Sequence, residues 1–277
     1  MSNQRTHHVT TTDGVTIGAT VHGQGPPLVF LHGMFGDGDI DWDPLLGHLA
    51  GRFTCHLPSQ RGRGLSGAHP DLSYGRVVDD FLAYIDSIGE PTGLVGWSGG
   101  AWPVLSAAAQ SDAVAAVATI EPESVGLADE QEQAAFGDAV ARAGELATAG
   151  DLAAAIRPLV DFVFNDDEIA VAEDAGYLDA TARYVPNLLN FIQQLLEYQG
   201  PTAEDPAVLG AISAPVLVLR GSDTKPLALT SARHVADHVP NARLQDIPGA
   251  GHAAPLTHPE ALAEALTEFF TPAPQPI

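Results

Sequence analysis

Short, uninterrupted apolar runs recur along the chain and constrain its fold more than any other feature. They read "PPLVFLHG" (26–33), "FTCHLP" (53–58), "TGLVGWS" (92–98), "VAAVATIEP" (114–122) and "APVLVLRG" (214–221). None shows the alternation of apolar and polar residues that is typical of a strand with one solvent-exposed face. They therefore predict strands buried on both faces, as in a parallel sheet covered by helices. Helical stretches such as "SYGRVVDDFLAYIDSIG" and "HPEALAEALTEFF" lie between or after them. This order predicts an α/β fold.

Two segments depart from that alternation. At the beginning, "TTTDGVTIGATVHG" places a turn at Asp13 and Gly14 between β-branched runs, which predicts an antiparallel hairpin. Residues 123–205, called the cap below, contain Ala- and Leu-rich stretches at helical spacing and no strand-like run. We therefore expect a core of residues 1–122 and 206–277, with the cap inserted as a helical lid over the ligand crevice at the carboxyl ends of the strands.

Composition limits the classes of function. The chain has 277 residues and a formal charge of −23, from 35 acidic and 12 basic residues, which disfavours nucleic acids and anionic membranes as partners. No apolar run is long enough for a membrane span and no secretory signal is visible, so we expect a cytoplasmic protein. The sequence leaves open whether it is a monomer or a homodimer. The lone Cys55 lies in an apolar stretch and is expected to be a buried hydrophobe.

The stretch "GLVGWSGGAW" places Ser98 between Gly96 and Gly100, directly after a predicted strand and before a predicted helix. A nucleophile elbow needs this order, because its serine lies on a strained turn between strand and helix. The helix N-terminus favours developing negative charge, which makes the Gly99 N–H a candidate oxyanion donor. With 28 glycines in the chain the pattern alone is weak, and a bystander serine in a glycine-rich turn is the alternative.

A serine nucleophile needs a base that is itself oriented by a carboxylate. Among eleven histidines, His252 follows a strand-like run and the glycine-rich loop "PGAG", from which it can reach over the elbow. Asp223 lies just beyond the strand of "APVLVLRGSD", 29 residues before His252. Ser98, Asp223 and His252 therefore follow each other in the chain order of an α/β-hydrolase triad.

With these residues in place, the chain resembles the α/β-hydrolase superfamily, in the group that uses a serine nucleophile and carries a helical cap after the sixth strand. The motifs are "FLHGMFGD", "RGRGLSG", "GWSGG", "RGSD" and "GAGH…HPE", and together they are far more specific than any one of them. The resemblance covers about residues 9–270. It implies a mostly parallel central sheet flanked by helices.

The resemblance also implies roles for particular residues. Met34, in "HGMFGD", would supply the second oxyanion N–H, and His32 would shape that loop. Two departures stand out: "LPSQRGRG" has Ser59 and Arg63 where relatives carry Asp and His, and "TIEPE" places Glu121 where some members carry their triad acid. The position of Asp223 is commoner in the family, so we expect Asp223 to be the acid, with Glu121 as the alternative.

The mechanism implied is acyl transfer from a small, neutral or apolar ester, lactone or related carbonyl substrate to Ser98 and then to water, with no metal or organic cofactor. Carboxylesterase, lactonase, C–C hydrolase and cofactor-free perhydrolase activities stay open, as does a cyclase or lyase that uses His252 alone as a base. A small-ligand receptor without turnover is the alternative from another class. The aromatic residues expected to line the pocket are Phe35, Trp97, Trp102, Tyr177 and Tyr184.

Overall fold

The structure, a computed structural model, describes residues 4–271. Within them eight strands form one sheet in the spatial order β1-β2-β4-β3-β5-β6-β7-β8. The strands are β1 (Arg5–Thr10), β2 (Thr16–Gly23), β3 (Pro27–Leu31), β4 (Thr54–Pro58), β5 (Thr92–Trp97), β6 (Val114–Ile120), β7 (Val216–Gly221) and β8 (Ala242–Ile247). The β1–β2 and β2–β4 pairs are antiparallel and the other pairs are parallel. Both the predicted hairpin and the mostly parallel sheet are confirmed.

Helices cover both faces of the sheet. Outside the cap region they are α1 (Gly38–Leu49), α2 (Tyr74–Asp86), α3 (Ala101–Ala108), α11 (Pro226–His238), α12 (Ala254–Thr257) and α13 (Pro259–Phe270). Leu28 and Phe30 pack on the face covered by α1 and α13, whereas Val29 and Leu31 pack on the face covered by α2, α3 and α11. Successive side chains of a strand point to opposite faces, so a strand covered on both must be apolar throughout.

The helical insertion after the sixth strand is also confirmed. The chain between β6 and β7 forms α4 (Glu130–Thr148), α5 (Leu152–Ala155), α6 (Arg157–Val163), α7 (Asp166–Asp174), α8 (Tyr177–Ala182), α9 (Val185–Glu197) and α10 (Pro206–Gly210). Residues 1–3 and 272–277 of the expected core segments lie outside the described residues. Among residues 4–271, no helix combines the length and the apolar character needed to cross a bilayer.

Candidate active site

Ser98 lies on a tight turn between β5 and α3. Its φ of 53° is in the left-handed region, which non-glycine residues rarely adopt outside functional sites. A Cβ on Gly96 would lie 2.7 Å from the Ala101 Cα, and a Cβ on Gly100 would overlap the carbonyl oxygen of His32. The two glycines are therefore needed because the helix begins almost in contact with the strands beside it.

The structure brings His252 to Ser98. The His252 Nε2 atom lies 2.8 Å from the Ser98 Oγ atom, and the imidazole ring is buried. The loop that carries the ring is held on both sides: the Trp97 indole N–H donates to the His252 carbonyl oxygen at 2.9 Å, and the Ala253 N–H donates to the Glu168 carboxylate of the cap at 2.6 Å. This geometry suits transfer of a proton from the serine hydroxyl to the histidine.

The structure does not bring the Asp223 side chain to His252. That carboxylate is exposed, accepts a hydrogen bond from the Ser222 hydroxyl at 2.8 Å, and has neither oxygen within 4.0 Å of a His252 ring nitrogen. The Asp223 backbone N–H donates to the Ala250 carbonyl oxygen, which fixes the loop with its side chain turned towards solvent. Proximity in sequence to the end of β7 is thus not enough to place a carboxylate beside the ring.

Two other carboxylates face the second nitrogen of the ring. Oxygens of Glu121 and Glu123 each lie 3.5 Å from the His252 Nδ1 atom. Glu121 is fully buried with a φ of 49°, and it accepts hydrogen bonds from the Gly221 N–H and from the Thr224 hydroxyl, the latter at 2.5 Å. Glu123 was missed in the sequence analysis, although it stands only two residues further along "TIEPE".

Three carboxyl groups contribute negative charge around the buried His252 ring. Burial alone would lower the pKa of His252, but the attraction of Glu123, Glu121 and Glu168 outweighs it, so the pKa is raised. Burial raises the pKa of Glu123 to about 7, and it raises that of Glu168 as well. The His252 Nδ1 atom makes no hydrogen bond to another described residue, so a small ring movement would complete a contact that apo sites often leave long.

Met34 and Gly99, the expected oxyanion residues, are neighbours beside Ser98. A Cβ on Gly99 would lie 2.5 Å from the Met34 Cγ atom. Gly99 is in the first turn of the short 3₁₀ helix Ser98–Gly100, where a backbone N–H has no partner within the helix. The Met34 N–H likewise makes no hydrogen bond to another residue of the described range. Both donors are free for a ligand oxygen.

His32 holds the peptide that carries the Met34 N–H. The Gln60 N–H donates to the His32 Nε2 atom at 3.0 Å, so the ring proton is on Nδ1, which donates to the Gly33 carbonyl oxygen at 2.7 Å. Burial lowers the pKa of His32 to about 3, so the ring stays neutral. Because the Gly33 carbonyl and the Met34 N–H belong to one peptide group, this bond helps to fix the direction of the N–H.

Asp41 joins the same loop to the cap. Its carboxylate accepts the Gly33 N–H at 2.8 Å and the Tyr177 hydroxyl at 3.0 Å. The carboxyl group is completely buried, and burial raises its pKa to about 7. The loop that carries Met34 is therefore bound to a cap side chain as well as to the core.

The five aromatic residues expected at the pocket have different surroundings. Trp97 and Tyr177 lie in the apolar cluster that includes the cap, with ring centroids 6.5 Å apart, and Phe35 packs against Phe164 at 6.0 Å. Trp102 packs on the other face of the sheet and donates to the Glu123 carbonyl oxygen, whereas the Tyr184 hydroxyl bonds Asp37. Phe164, which sequence reasoning missed, lies 6.0 Å from the His252 ring.

Among the residues that the structure describes, no three His, Cys, Asp or Glu side chains are placed to share a metal ion. Cys55 is buried in the core. The groups that the structure brings together at Ser98 are a hydroxyl, an imidazole, carboxylates and backbone N–H groups.

Comparison with known proteins agrees with this geometry. Residues 28–265 match the model of the alpha/beta hydrolase family, so the chain belongs to that family and is a hydrolase. It is 30% identical to a pimeloyl-[acyl-carrier protein] methyl ester esterase of Xanthomonas campestris pv. campestris, over 92% of this chain and 98% of the relative. It is 26% identical to a 2-(acetamidomethylene)succinate hydrolase of Mesorhizobium japonicum, over 92% of each. An alpha/beta hydrolase structure from Sphaerobacter thermophilus is 28% identical, with a TM-score of 0.73 over 96% of this chain and all of that one.

We predict that His252 titrates above 6.5 and that the substitution Glu123→Gln lowers its pKa, because a neutral amide removes one of the charges that favour the imidazolium. The measurement is an NMR titration of the imidazole signals, with the His252 signal identified by its loss in His252→Gln. Glu197→Gln, at an exposed cap position, is the control and should leave the titration unchanged. An unchanged His252 pKa in Glu123→Gln would contradict the conclusion that the Glu123 carboxylate raises the pKa of His252.

Proposed function

We propose that this protein hydrolyses a small, uncharged ester through an acyl-serine intermediate. One observation carries the proposal: the 2.8 Å contact between the His252 Nε2 atom and the hydroxyl of Ser98 on its left-handed turn. The family of the chain and the ester hydrolase among its relatives support the same reaction class.

In this mechanism Ser98 Oγ attacks the ester carbonyl carbon while His252 Nε2 takes the hydroxyl proton. The N–H groups of Met34 and Gly99 hold the oxyanion of the tetrahedral intermediate. Collapse of the intermediate breaks the bond to the alcohol, which leaves with the proton from His252. Water, deprotonated by the same nitrogen, then attacks the acyl-serine and releases the acid.

We assign the third member of the triad to Glu121 and not to Asp223. Glu121 is buried, faces the His252 Nδ1 atom, and accepts hydrogen bonds from the Gly221 N–H at the end of β7 and from the Thr224 hydroxyl in the loop that follows. A carboxylate so held orients the ring and stabilises the imidazolium that forms during attack. Glu123 lies at the same distance from Nδ1. We regard it as a second acid, whose titration is coupled to that of His252 and Glu121.

The charges around the site favour an uncharged substrate. Glu121, Glu123 and Glu168 surround His252. The nearby cations already have partners: Arg63 bonds backbone carbonyls, Arg183 pairs with Asp37, and Lys225 bonds the carbonyl oxygens of Asp161 and Phe162. A substrate carboxylate would be repelled by these carboxylates, and each of the three cations already donates to a group of the described residues.

The surface of the cap disfavours an acidic carrier protein as the bearer of the acyl group. Residues 123–205 have a net charge of −14, since 17 acidic residues stand against three arginines. Those arginines, at positions 142, 157 and 183, are all engaged in ion pairs. Like charges repel an acidic partner at long range, so we propose a free small molecule as the substrate and not an ester borne by an acidic carrier protein.

Substitution of the nucleophile tests the mechanism. We expect Ser98→Ala to lower kcat for an aryl ester by about 10³-fold or more while the protein stays folded, because the attacking oxygen is lost from a small turn residue. A fluorophosphonate should label the wild type at Ser98 and leave Ser98→Ala unlabelled. Ser66→Ala, a serine of another loop, is the control for labelling. A labelled protein that turns over no ester would favour the receptor alternative.

The identity of the triad acid is tested by a pair of amide substitutions. Glu121→Gln should lower kcat/KM by about 10³- to 10⁴-fold, because an amide at this place favours the wrong tautomer of the histidine. Asp223→Asn should stay within about threefold of the wild type, since that side chain is exposed and bonds only Ser222 among the described residues. A larger loss of kcat/KM in Asp223→Asn than in Glu121→Gln would show that Asp223 is the triad acid.

The charge of the preferred substrate is tested with esters that differ only at the far end of the acyl chain. We expect kcat/KM for 4-nitrophenyl hexanoate to exceed that for the mono-4-nitrophenyl ester of adipic acid by about tenfold or more, which corresponds to about 1.4 kcal/mol. The methyl 4-nitrophenyl diester of adipic acid controls for length and should behave like the uncharged ester. Equal or better use of the free acid would refute this part of the proposal.

A further inference from the structure

Arg63 lies directly behind the loop that carries Met34. Its guanidinium is almost fully buried, and the Nη1 atom donates to two carbonyl oxygens of that loop, those of Met34 at 2.5 Å and Gly36 at 2.9 Å. Burial lowers the pKa of Arg63 to about 10, which leaves it charged at neutral pH. A buried cation needs such partners, so the loop cannot turn these carbonyls away without leaving the charge unsatisfied.

The same guanidinium reaches the cap. The Arg63 Nε atom donates to the Asn187 Oδ1 atom of α9 at 2.8 Å, and the Arg63 Cζ atom lies 5.5 Å from the centroid of the Tyr184 ring. The Tyr184 hydroxyl accepts the Gly64 N–H and donates to Asp37, which adds two bonds at the same place. The start of α9 is therefore hydrogen-bonded both to the loop of Arg63 and to Asp37.

Met34 thus lies between two fixed peptide groups. His32 holds the peptide before it through the Gly33 carbonyl oxygen, and Arg63 holds the peptide after it through the Met34 carbonyl oxygen. With both neighbouring planes fixed, the φ and ψ angles of Met34 have little freedom, and the direction of its N–H is set. Only the second of these two restraints continues into the cap.

We propose that Arg63 is a positioning residue that couples the position of the cap, at the start of α9, to the geometry of the loop that carries Met34, called the oxyanion loop below. When the start of α9 is in place, Asn187 and Tyr184 hold the guanidinium against the loop and the Met34 N–H points towards the substrate oxygen. When it is not, the guanidinium loses partners and the loop loses a restraint. The inference rests on the proposed function, because the Met34 N–H acts as an oxyanion donor only if Ser98 attacks a carbonyl.

The test compares Arg63→Met, Arg63→Lys and Asn187→Ala with Gln194→Ala. Gln194 is the matched control, since it lies on the same helix and also bonds the core, at the Leu72 N–H and the Pro70 carbonyl oxygen, away from the oxyanion loop. For each protein we would measure kcat and KM for an uncharged aryl ester, with the active fraction titrated by a fluorophosphonate. Affinity for an alkyl boronic acid, which forms a tetrahedral adduct on the serine, reports on the oxyanion site separately.

We expect Arg63→Met to lower kcat per active site by about 10- to 100-fold and to weaken boronate binding in parallel, with KM changed by less than about threefold. Arg63→Lys should recover part of the loss because it restores a donor, and Asn187→Ala should cost about three- to tenfold. Gln194→Ala should stay within about twofold. A merely structural role would lower the active fraction and leave kcat per site unchanged.

Two results would overturn the inference: wild-type kcat per site in Arg63→Met, or equal effects of Asn187→Ala and Gln194→Ala. If Arg63→Met does not fold, the comparison of Asn187→Ala with Gln194→Ala decides alone. A wild-type protein that takes no label and turns over no ester would instead show that the proposed function is wrong. Labelled, active wild type with unaffected variants would refute only the coupling.

Discussion

The parallel pairing of β5 with β6 places Trp97 opposite Ile120, so that Ser98 and Glu121 are the next residues at the same edge of the sheet. Both have a positive φ, and no other non-glycine residue in the described range does. Such a conformation costs about 1–3 kcal/mol per residue and persists only where the surroundings enforce it. The close approach of α3 enforces it at Ser98, and the donors of Gly221 and Thr224 hold the side chain of Glu121.

This shared edge explains why His252 lies close to several carboxylate side chains. The ring must contact Ser98 with one nitrogen, so its other nitrogen faces the end of β6, where Glu121 and Glu123 lie. The cap adds Glu168, whose carboxylate bonds the backbone beside the ring. These charges make the buried imidazole easier to protonate, and they repel anions from the site.

The sequence was most informative where one local pattern determines the structure. Strands such as β3 are recognisable because burial on two faces requires an apolar side chain at every position, and the elbow is recognisable because strand, serine and helix follow each other directly. The choice between Asp223 and Glu121 depends on how the loop after β7 folds against the Ala250 region, and no periodicity encodes that. Glu168 and Phe164 reach His252 only once the cap has docked.

The cap is bound to the core by two different kinds of contact near the site. Apolar side chains of α4 and α9 pack with Met34 and Phe35, and this contact buries apolar area without fixing the direction of any backbone group. Tyr177 and Asn187 instead make directional hydrogen bonds to buried Asp41 and Arg63, groups that are costly to leave without partners. A displacement of the cap that breaks these bonds would leave buried polar groups without partners. Since both bonds lead to the loop of Met34, the polar contacts and not the apolar area determine how accurately that loop is placed.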